Sequence, residues 1–399
     1  MRQPVFIAGV GVISAIGNTT AQNLLSLERA ETGINAIKYL ETEHSNEFPI
    51  GEVKQSNHEL AGLSGFNAGT SRTAMLSLIA AKEALTDAGI SNFADLRSGF
   101  ISANTVGGMD KTEDFFREFL TGNTNGRLRD VVNHECGAVT NLVADKLGIR
   151  HYVSTISTAC SSSANAIMYG ARLIKNNILD VVIAGGTDAL TRFTLNGFNT
   201  LLILDKQPCQ PFDANRRGLN LGEGAGYVVL VSERVALSLK KELYCTLSGY
   251  HNANDAYHQT ASSPGGTGSR MAMEGALRKS GLQPSDIGYI NLHGTGTQNN
   301  DSSEGAAINT LFAGNYPKMS STKAFTGHTL GASGGIEAVF SALAVQRGIV
   351  YPNLRFETPI TGLPFTPETQ FSKQPKLKHV LSNSFGFGGN CSSLIFSKL

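Results

Sequence analysis

Apolar positions along the chain follow two rhythms. In "NAIMYGARLIKN", Ile167, Met168, Ala171 and Ile174 recur at helical spacing, and "DVVIAGG" follows as a short unbroken apolar run, the pattern of a strand buried on both faces. A helix feeding a central strand is the predicted unit. The same grammar returns later: "GSRMAMEGALRKSGL" predicts a helix, "DIGYINLHG" a buried strand, "GGIEAVFSALAVQRG" a helix, "HVLSNSFGFGG" a strand ending in glycines, and "SSLIFSKL" a terminal strand. The opening "MRQPVFIAGVGVISAIG" reads as a strand followed by a glycine turn. The 44 glycines fall mostly at junctions, as in an α/β protein with short turns. The two halves look alike in plan, without a direct sequence repeat. The polar stretch "HNANDAYHQTASSPGGTG" predicts a crossing near residue 250, giving halves 1–250 and 251–399 with fused sheets.

Composition narrows the function classes. With 399 residues, 41% of them hydrophobic, the chain buries one large core or two medium ones. Lysine plus arginine number 33 against 32 aspartates and glutamates, so no global field attracts nucleic acid or a membrane surface. No apolar run reaches the ~18 residues of a membrane span, and the N-terminus lacks a clear cleavage site. The cysteines, Cys136, Cys160, Cys209, Cys245 and Cys391, are odd in number and form no CxxC pair, which fits a reduced cytoplasm. No HxxxH, HExxH or Walker motif is present, so neither a catalytic metal nor a nucleotide is expected.

The chemistry-bearing stretch is "STACSSSANA". Cys160 on its own reads as core, since free cysteine is among the most buried residue types. Its setting argues otherwise: residues before it break the helical rhythm and those after it begin one, so its sulfur lies near a helix N-terminus, where the dipole lowers a thiol from its usual value of about 8.5. Two histidines lie in glycine-threonine surroundings, His293 in "NLHGTGTQNND" and His328 in "STKAFTGHTLGASGG", and Lys323 stands in a stretch otherwise free of charge. For each, a satisfied turn histidine or a solvated lysine is the bland alternative. "GASGG" formally matches a serine-hydrolase elbow with Ser333 as nucleophile, but the preceding "AFTGHTL" is a poor strand. "GFGGNC" resembles part of a dinucleotide loop, yet is followed by a strand and not by a helix.

Taken in order, "TACSSS", "HGTGT" with Asp301 following, "STKAFTGHTLGASGGIEAV" and "NSFGFGG" resemble the elongating β-ketoacyl-acyl carrier protein synthases, essentially end to end. "PFDANRRGLNLGEGAG" and "NANDAYHQT" resemble further segments of that family. The resemblance implies a thiolase fold: α/β, two similar halves stacked as a five-layered αβαβα arrangement, normally a homodimer, with a heterodimer with a related subunit as the other arrangement. It implies that Cys160 receives the acyl chain, that His293, His328 and Lys323 complete the catalytic set, and that backbone N–H groups of Cys160 and the gate residue Phe387 form an oxyanion hole. Thr295 and Thr297 match threonines beside a carrier's pantetheine arm, and Gly386 and Gly388 flank the gate. Val106 in "NTVGGM" stands where chain depth is limited, and Glu337 matches a buried acid organising the lysine and a structural water or monovalent cation. No cofactor is implied; acyl and malonyl groups arrive on the phosphopantetheine of an acyl carrier protein. The activity implied is decarboxylative condensation, an acyltransferase reaction.

Departures from the pattern also carry information. Gln210 stands before "PFD" where an arginine is usual, and "GLNLGEG" replaces "GFVMGEG". These point to a specialised pathway such as aryl polyene or related polyketide assembly, with fatty-acid elongation as the alternative. A non-catalytic chain-length or carrier-binding subunit is the competing reading from another class; such relatives usually lack the cysteine that this chain has.

Overall fold

The computed structural model describes residues 3–399. Among them are twelve strands: β1 (Val5–Ser14), β2 (Ser98–Ala103), β3 (Tyr152–Ile156), β4 (Val181–Asp188), β5 (Gly224–Ser232), β6 (Cys245–Asn254), β7 (Tyr289–Asn291), β8 (Lys318–Ser320), β9 (Ile349–Val350), β10 (Ser372–Lys373), β11 (His379–Phe385) and β12 (Asn390–Ser397). Ten of them hydrogen-bond in the order β3-β2-β4-β5-β1-β6-β12-β11-β7-β8, and β9 and β10 form a separate pair.

That order is the same read inward from either end. β1 to β5 correspond to β6, β7, β8, β11 and β12: in each half the first strand runs antiparallel to the last, the last antiparallel to the fourth, and the fourth, second and third are parallel neighbours. The duplication is therefore explicit in the topology. The halves meet at a narrow seam where Phe6 pairs with Thr246 and Ile7 with Cys245.

The division expected at residue 250 falls inside β6, the counterpart of β1, and the crossing lies before Cys245. The polar residues there belong to a strand because their side chains are bonded within the protein: Asn252 Nδ2 donates to Asn390 Oδ1 (2.7 Å) and to Ser392 Oγ (2.9 Å).

Helices Arg72–Ala88 and Cys136–Leu147 cover the outer face of the first half, and Thr267–Ser280 and Gln298–Phe312 that of the second. Between the halves lie the helices Ser162–Lys175 and Ser333–Arg347, whose Ile167, Ile174, Ile336 and Val339 fill the central core. This is the five-layered αβαβα arrangement. Small residues let the two central helices touch, a Cβ on Gly334 standing 3.0 Å from Ala164 Cβ, and let the second press on β5, a Cβ on Gly335 standing 2.4 Å from Gly226 O. Burial all round removes any amphipathic signal from Ser333–Val345 and explains why its sequence reads as uniformly apolar and small. No helix among the described residues is long and apolar enough to cross a membrane.

Candidate active site

Each half delivers chemistry from the ends of its parallel strands. β3 ends at Ile156, the chain turns through Ala159 at φ +53°, an unusual value for a residue with a Cβ, and Cys160 precedes the central helix Ser162–Lys175. Cys160 is buried and lines a cavity of about 290 Å³ together with His293, Thr295, Thr297, His328, Gly386 and Phe387. Residues far apart in sequence thus converge on one sulfur. The lowered thiol expected at the helix start is reversed. Burial pushes Cys160 up to about 11, opposed by the Lys323 charge and by the backbone N–H groups of Phe387 and of Cys160 itself. The resting group is a neutral thiol, and the two N–H groups expected to form an oxyanion hole both act to stabilise its anion.

His293 follows β7, and its ring meets that of His328 nearly edge-on, with centroids 5.4 Å apart. Burial holds both imidazoles well below the usual histidine range, with Lys323 adding to the effect in each, so both are neutral near pH 7. Their tautomers follow from their neighbours. The Lys323 ammonium lies 3.3 Å from His293 Nδ1, and the Leu330 N–H donates to His328 Nδ1 at 3.2 Å. Each Nδ1 is therefore an acceptor, and each Nε2 carries the proton. The arrangement offers two neutral N–H donors to the cavity that holds the thiol.

Behind His293, Lys323 Nζ donates to Glu337 Oε1 at 2.5 Å, both side chains being nearly inaccessible. Burial raises Glu337 to about 7 against the pull of Lys323. Glu337 Oε2, both amide atoms of Asn291 and Ser341 Oγ have no hydrogen-bond partner although buried. Asn291 lies two residues beyond Tyr289, which packs in the central core, so its side chain faces the helix of Glu337 and Ser341. These orphaned oxygens fit a water or a hard monovalent cation. Among the described residues no group of three His, Cys, Asp or Glu side chains is gathered as for a metal ion.

Two acids on the helix Gln298–Phe312 hold the HGTGT turn. Asp301 Oδ2 accepts from Phe212 N–H (2.7 Å) and Gly296 N–H (3.2 Å). Glu304, which the sequence reading missed, accepts from His293 N–H and Gly294 N–H, both at 2.9 Å, and burial raises it to about 7. Its spacing, three residues after Asp301 on one helix face, was the available signal. Thr295 and Thr297 bond each other through their hydroxyls at 2.9 Å on the cavity wall.

The gate stands at the cavity mouth, where the Phe387 ring stacks on Phe198 at 5.9 Å. The flanking glycines serve different needs. Gly388 has φ +79° and its N–H donates to Gln259 O at 2.7 Å, whereas Gly386 has an ordinary φ but presses on the nucleophile turn, 3.0 Å from Thr158 O for an added Cβ. The missing side chain at Gly386 thus lets the gate loop lie directly against the Cys160 turn. Val106 does not line this cavity. Its N–H donates to Asp188 Oδ1 and its side chain packs against the apolar cluster of Leu190, Leu195, Leu219 and Leu330, of which Leu219 lines the cavity. Nor does Ser333 reach the cavity: its buried hydroxyl lies 3.0 Å from His328 Nδ1, on the side of the ring away from the donor nitrogen. A hydrolase using Ser333 does not fit.

A family model for the N-terminal domain of β-ketoacyl synthases matches residues 2–236, and one for the C-terminal domain matches 244–357. The chain belongs to the β-ketoacyl synthase family. This synthase is 33% identical to the 3-oxoacyl-acyl-carrier-protein synthase 2 of Staphylococcus aureus (strain COL) over 409 residues, covering 99% of this chain and 98% of the relative. It is also 33% identical to the protein of the same name from Rhizobium meliloti, with 99% and 98% coverage. Among solved structures it superposes on the ishigamide ketosynthase/chain length factor with a TM-score of 0.94 at 27% identity, each chain fully covered. On a ketosynthase in complex with its chain length factor from Xenorhabdus doucetiae the TM-score is 0.85 at 30% identity, covering 100% and 98%. The synthase is an acyl-transferring, condensing enzyme of the elongating type with the thiolase fold.

Proposed function

We propose that the synthase carries the growing acyl chain on Cys160 and extends it with malonyl units delivered by an acyl carrier protein. The observation that carries this reading is the pair of neutral imidazoles whose protonated nitrogens share one cavity with the thiol. In the loading step the Cys160 sulfur attacks the carrier thioester, and the oxyanion is held by the N–H groups of Cys160 and Phe387. Because the thiol is protonated at rest, its proton leaves as the C–S bond forms and is taken up by the departing carrier thiolate. Malonyl carrier then binds along Thr295 and Thr297. His293 and His328 donate to its thioester carbonyl, so loss of CO₂ leaves an enolate on an oxygen already bonded twice. The enolate carbon attacks the acyl-cysteine, gives the β-ketoacyl carrier and expels the Cys160 thiolate, which takes a proton from water to return to the resting thiol. Lys323 fixes the His293 tautomer without touching substrate.

The Glu337 and Asn291 oxygens hold a structural water or monovalent cation, and the chemistry needs no cofactor. The working state is a dimer in the cytoplasm, either of two copies or with a related subunit. The exposed Phe116, Phe119 and Leu120 on the helix Met109–Thr121, with Leu128 and Val132 beyond it, support such a contact. Gln210 and the "GLNLGEG" segment support a specialised aryl polyene or polyketide pathway over fatty-acid elongation. The test is to incubate the protein with a panel of acyl carriers plus malonyl carrier and follow both proteins by intact mass. A β-ketoacyl carrier two carbons longer than the loaded chain is expected. Release of CO₂ from malonyl carrier without any extended product would favour a non-condensing partner subunit.

A further inference from the structure

The two N–H groups of the loading-step oxyanion hole come from chain segments more than two hundred residues apart, so something must hold those segments in register. Three donors converge on one atom between them. Ser161 Oγ (2.7 Å), Asn165 Nδ2 (2.9 Å) and Asn252 Nδ2 (2.7 Å) all point at Asn390 Oδ1. Ser161 is next to the nucleophile, Asn165 is on the first turn of its helix, Asn252 is on β6, and Asn390 closes the gate loop. The two amide N–H donors fix that atom as the oxygen, and the single Ser161 proton is shared between it and Thr158 O at 2.8 Å.

The convergence is braced on both sides. The gate loop is folded onto Asn390 by its backbone, with Gly386 N–H donating to Asn390 O at 2.8 Å and Gly389 N–H to Gly386 O at 3.2 Å. On the nucleophile side, Asn165 Nδ2 also donates to Thr158 Oγ1 at 2.9 Å, and Ser392 Oγ donates to Asn165 Oδ1 at 2.6 Å. At Gly386 the loop backbone presses on the turn of Thr158 and Cys160, with no side chain there to lock the two. The Asn390 oxygen is the polar link that spans the two.

We propose that Asn390 is a positioning residue for acyl transfer: its side-chain oxygen sets the distance between the Cys160 and Phe387 N–H donors. This rests on the reading of Cys160 as the acyl carrier. It makes a selective demand, because only the reactions that build an oxyanion at Cys160 need both donors. Alkylation of the thiol by iodoacetamide displaces iodide at a saturated carbon and builds no oxyanion. Malonyl decarboxylation places its charge at the histidine pair instead.

The test compares Asn390→Ala, Asn390→Asp and Asn252→Ala with the wild type in three assays: acylation of Cys160 by acyl carrier in a single turnover, alkylation by iodoacetamide, and malonyl decarboxylation. Asn390→Ala is expected to slow acylation by ten-fold or more, since donor misplacement of an ångström costs about a hundred-fold and a lost net hydrogen bond about ten-fold. Alkylation and decarboxylation should stay within about two-fold of wild type, while the melting temperature falls by a few degrees because the donors lose their shared acceptor. Asn390→Asp, which keeps an acceptor oxygen in the same place, should recover most of the acylation rate, and Asn252→Ala should fall between. Wild-type acylation by Asn390→Ala, or an equal loss of alkylation, overturns the proposal while leaving the nucleophile assignment standing. A wild-type protein that is never acylated at Cys160 overturns the reading beneath it, and the proposal with it.

Discussion

Replacing Lys323 with methionine separates the buried acid from the histidine it serves. In the wild type Glu337 is held at about 7, above its ordinary 4.5, by burial working against the Lys323 charge. A carboxyl raised in the folded state contributes stability that is fully present below pH 4.5 and is lost as pH rises to about 7; above that, the paired anion costs no more. Without Lys323 the opposing charge is gone and the carboxyl rises further, so the loss continues beyond pH 7. The stability gap between wild type and Lys323→Met should therefore widen by about 1.4 kcal/mol per pH unit above 7, until the new titration point is passed. Below pH 6 both proteins hold a neutral Glu337, and the gap should shrink to about 1 kcal/mol, the scale of the lost hydrogen bonds. Chemical denaturation at pH 6, 7.5 and 9 measures this directly. Activity should split from stability. His293 keeps its ring but loses the donor that fixed its tautomer, so malonyl decarboxylation should fall about ten-fold, well short of the 10²–10³ for deleting an oxyanion donor. A gap that stays constant with pH would refute the buried-pair argument. A decarboxylation loss equal to that of His293→Ala would refute the indirect role of the lysine.

His293→Ala and His328→Ala should each lower malonyl decarboxylation by roughly two orders of magnitude, measured as CO₂ release, with a smaller effect on acyl loading. Ser333→Ala should keep condensation within a few-fold in the same assay, because the Leu330 N–H still fixes the His328 tautomer. Glu304 is raised by burial from 4.5 to about 7, so Glu304→Gln should remove on the order of 3 kcal/mol of the stability loss between pH 4.5 and 7, seen by denaturation at both ends of that range.

The elements that carry most chemistry were legible because their patterns are local. The periodicity of Ile167, Met168, Ala171 and Ile174 marks the helix after Cys160, and the run before Asp188 marks β4. The duplication was visible only in outline, since strand order is a matter of pairing partners, and β7 and β8 keep only three residues each. The boundary went astray at β6 because Asn252 and Asn254 look like loop residues until their hydrogen-bond partners, distant in sequence, are known. Cys160, His293, His328 and Lys323 lie together as the motif resemblance implied, but the state of the thiol did not follow from the helix start. The penalty of full burial outweighs the dipole, and burial is a property of the packed halves. Where Val106 sits could not be read from the chain either: the apolar cluster it packs against is built from Leu190, Leu219 and Leu330, segments with no sequence link to it.

The central claim is that Cys160 is the residue that accepts the acyl group. The most direct measurement is peptide mapping by mass spectrometry after brief incubation of the protein with an acyl carrier and no malonyl carrier. A single acyl adduct on the peptide containing Cys160, discharged when malonyl carrier is added and absent from Cys160→Ser, is the predicted result. An adduct on Ser333 or on another cysteine, or undiminished acylation of Cys160→Ser, would contradict it.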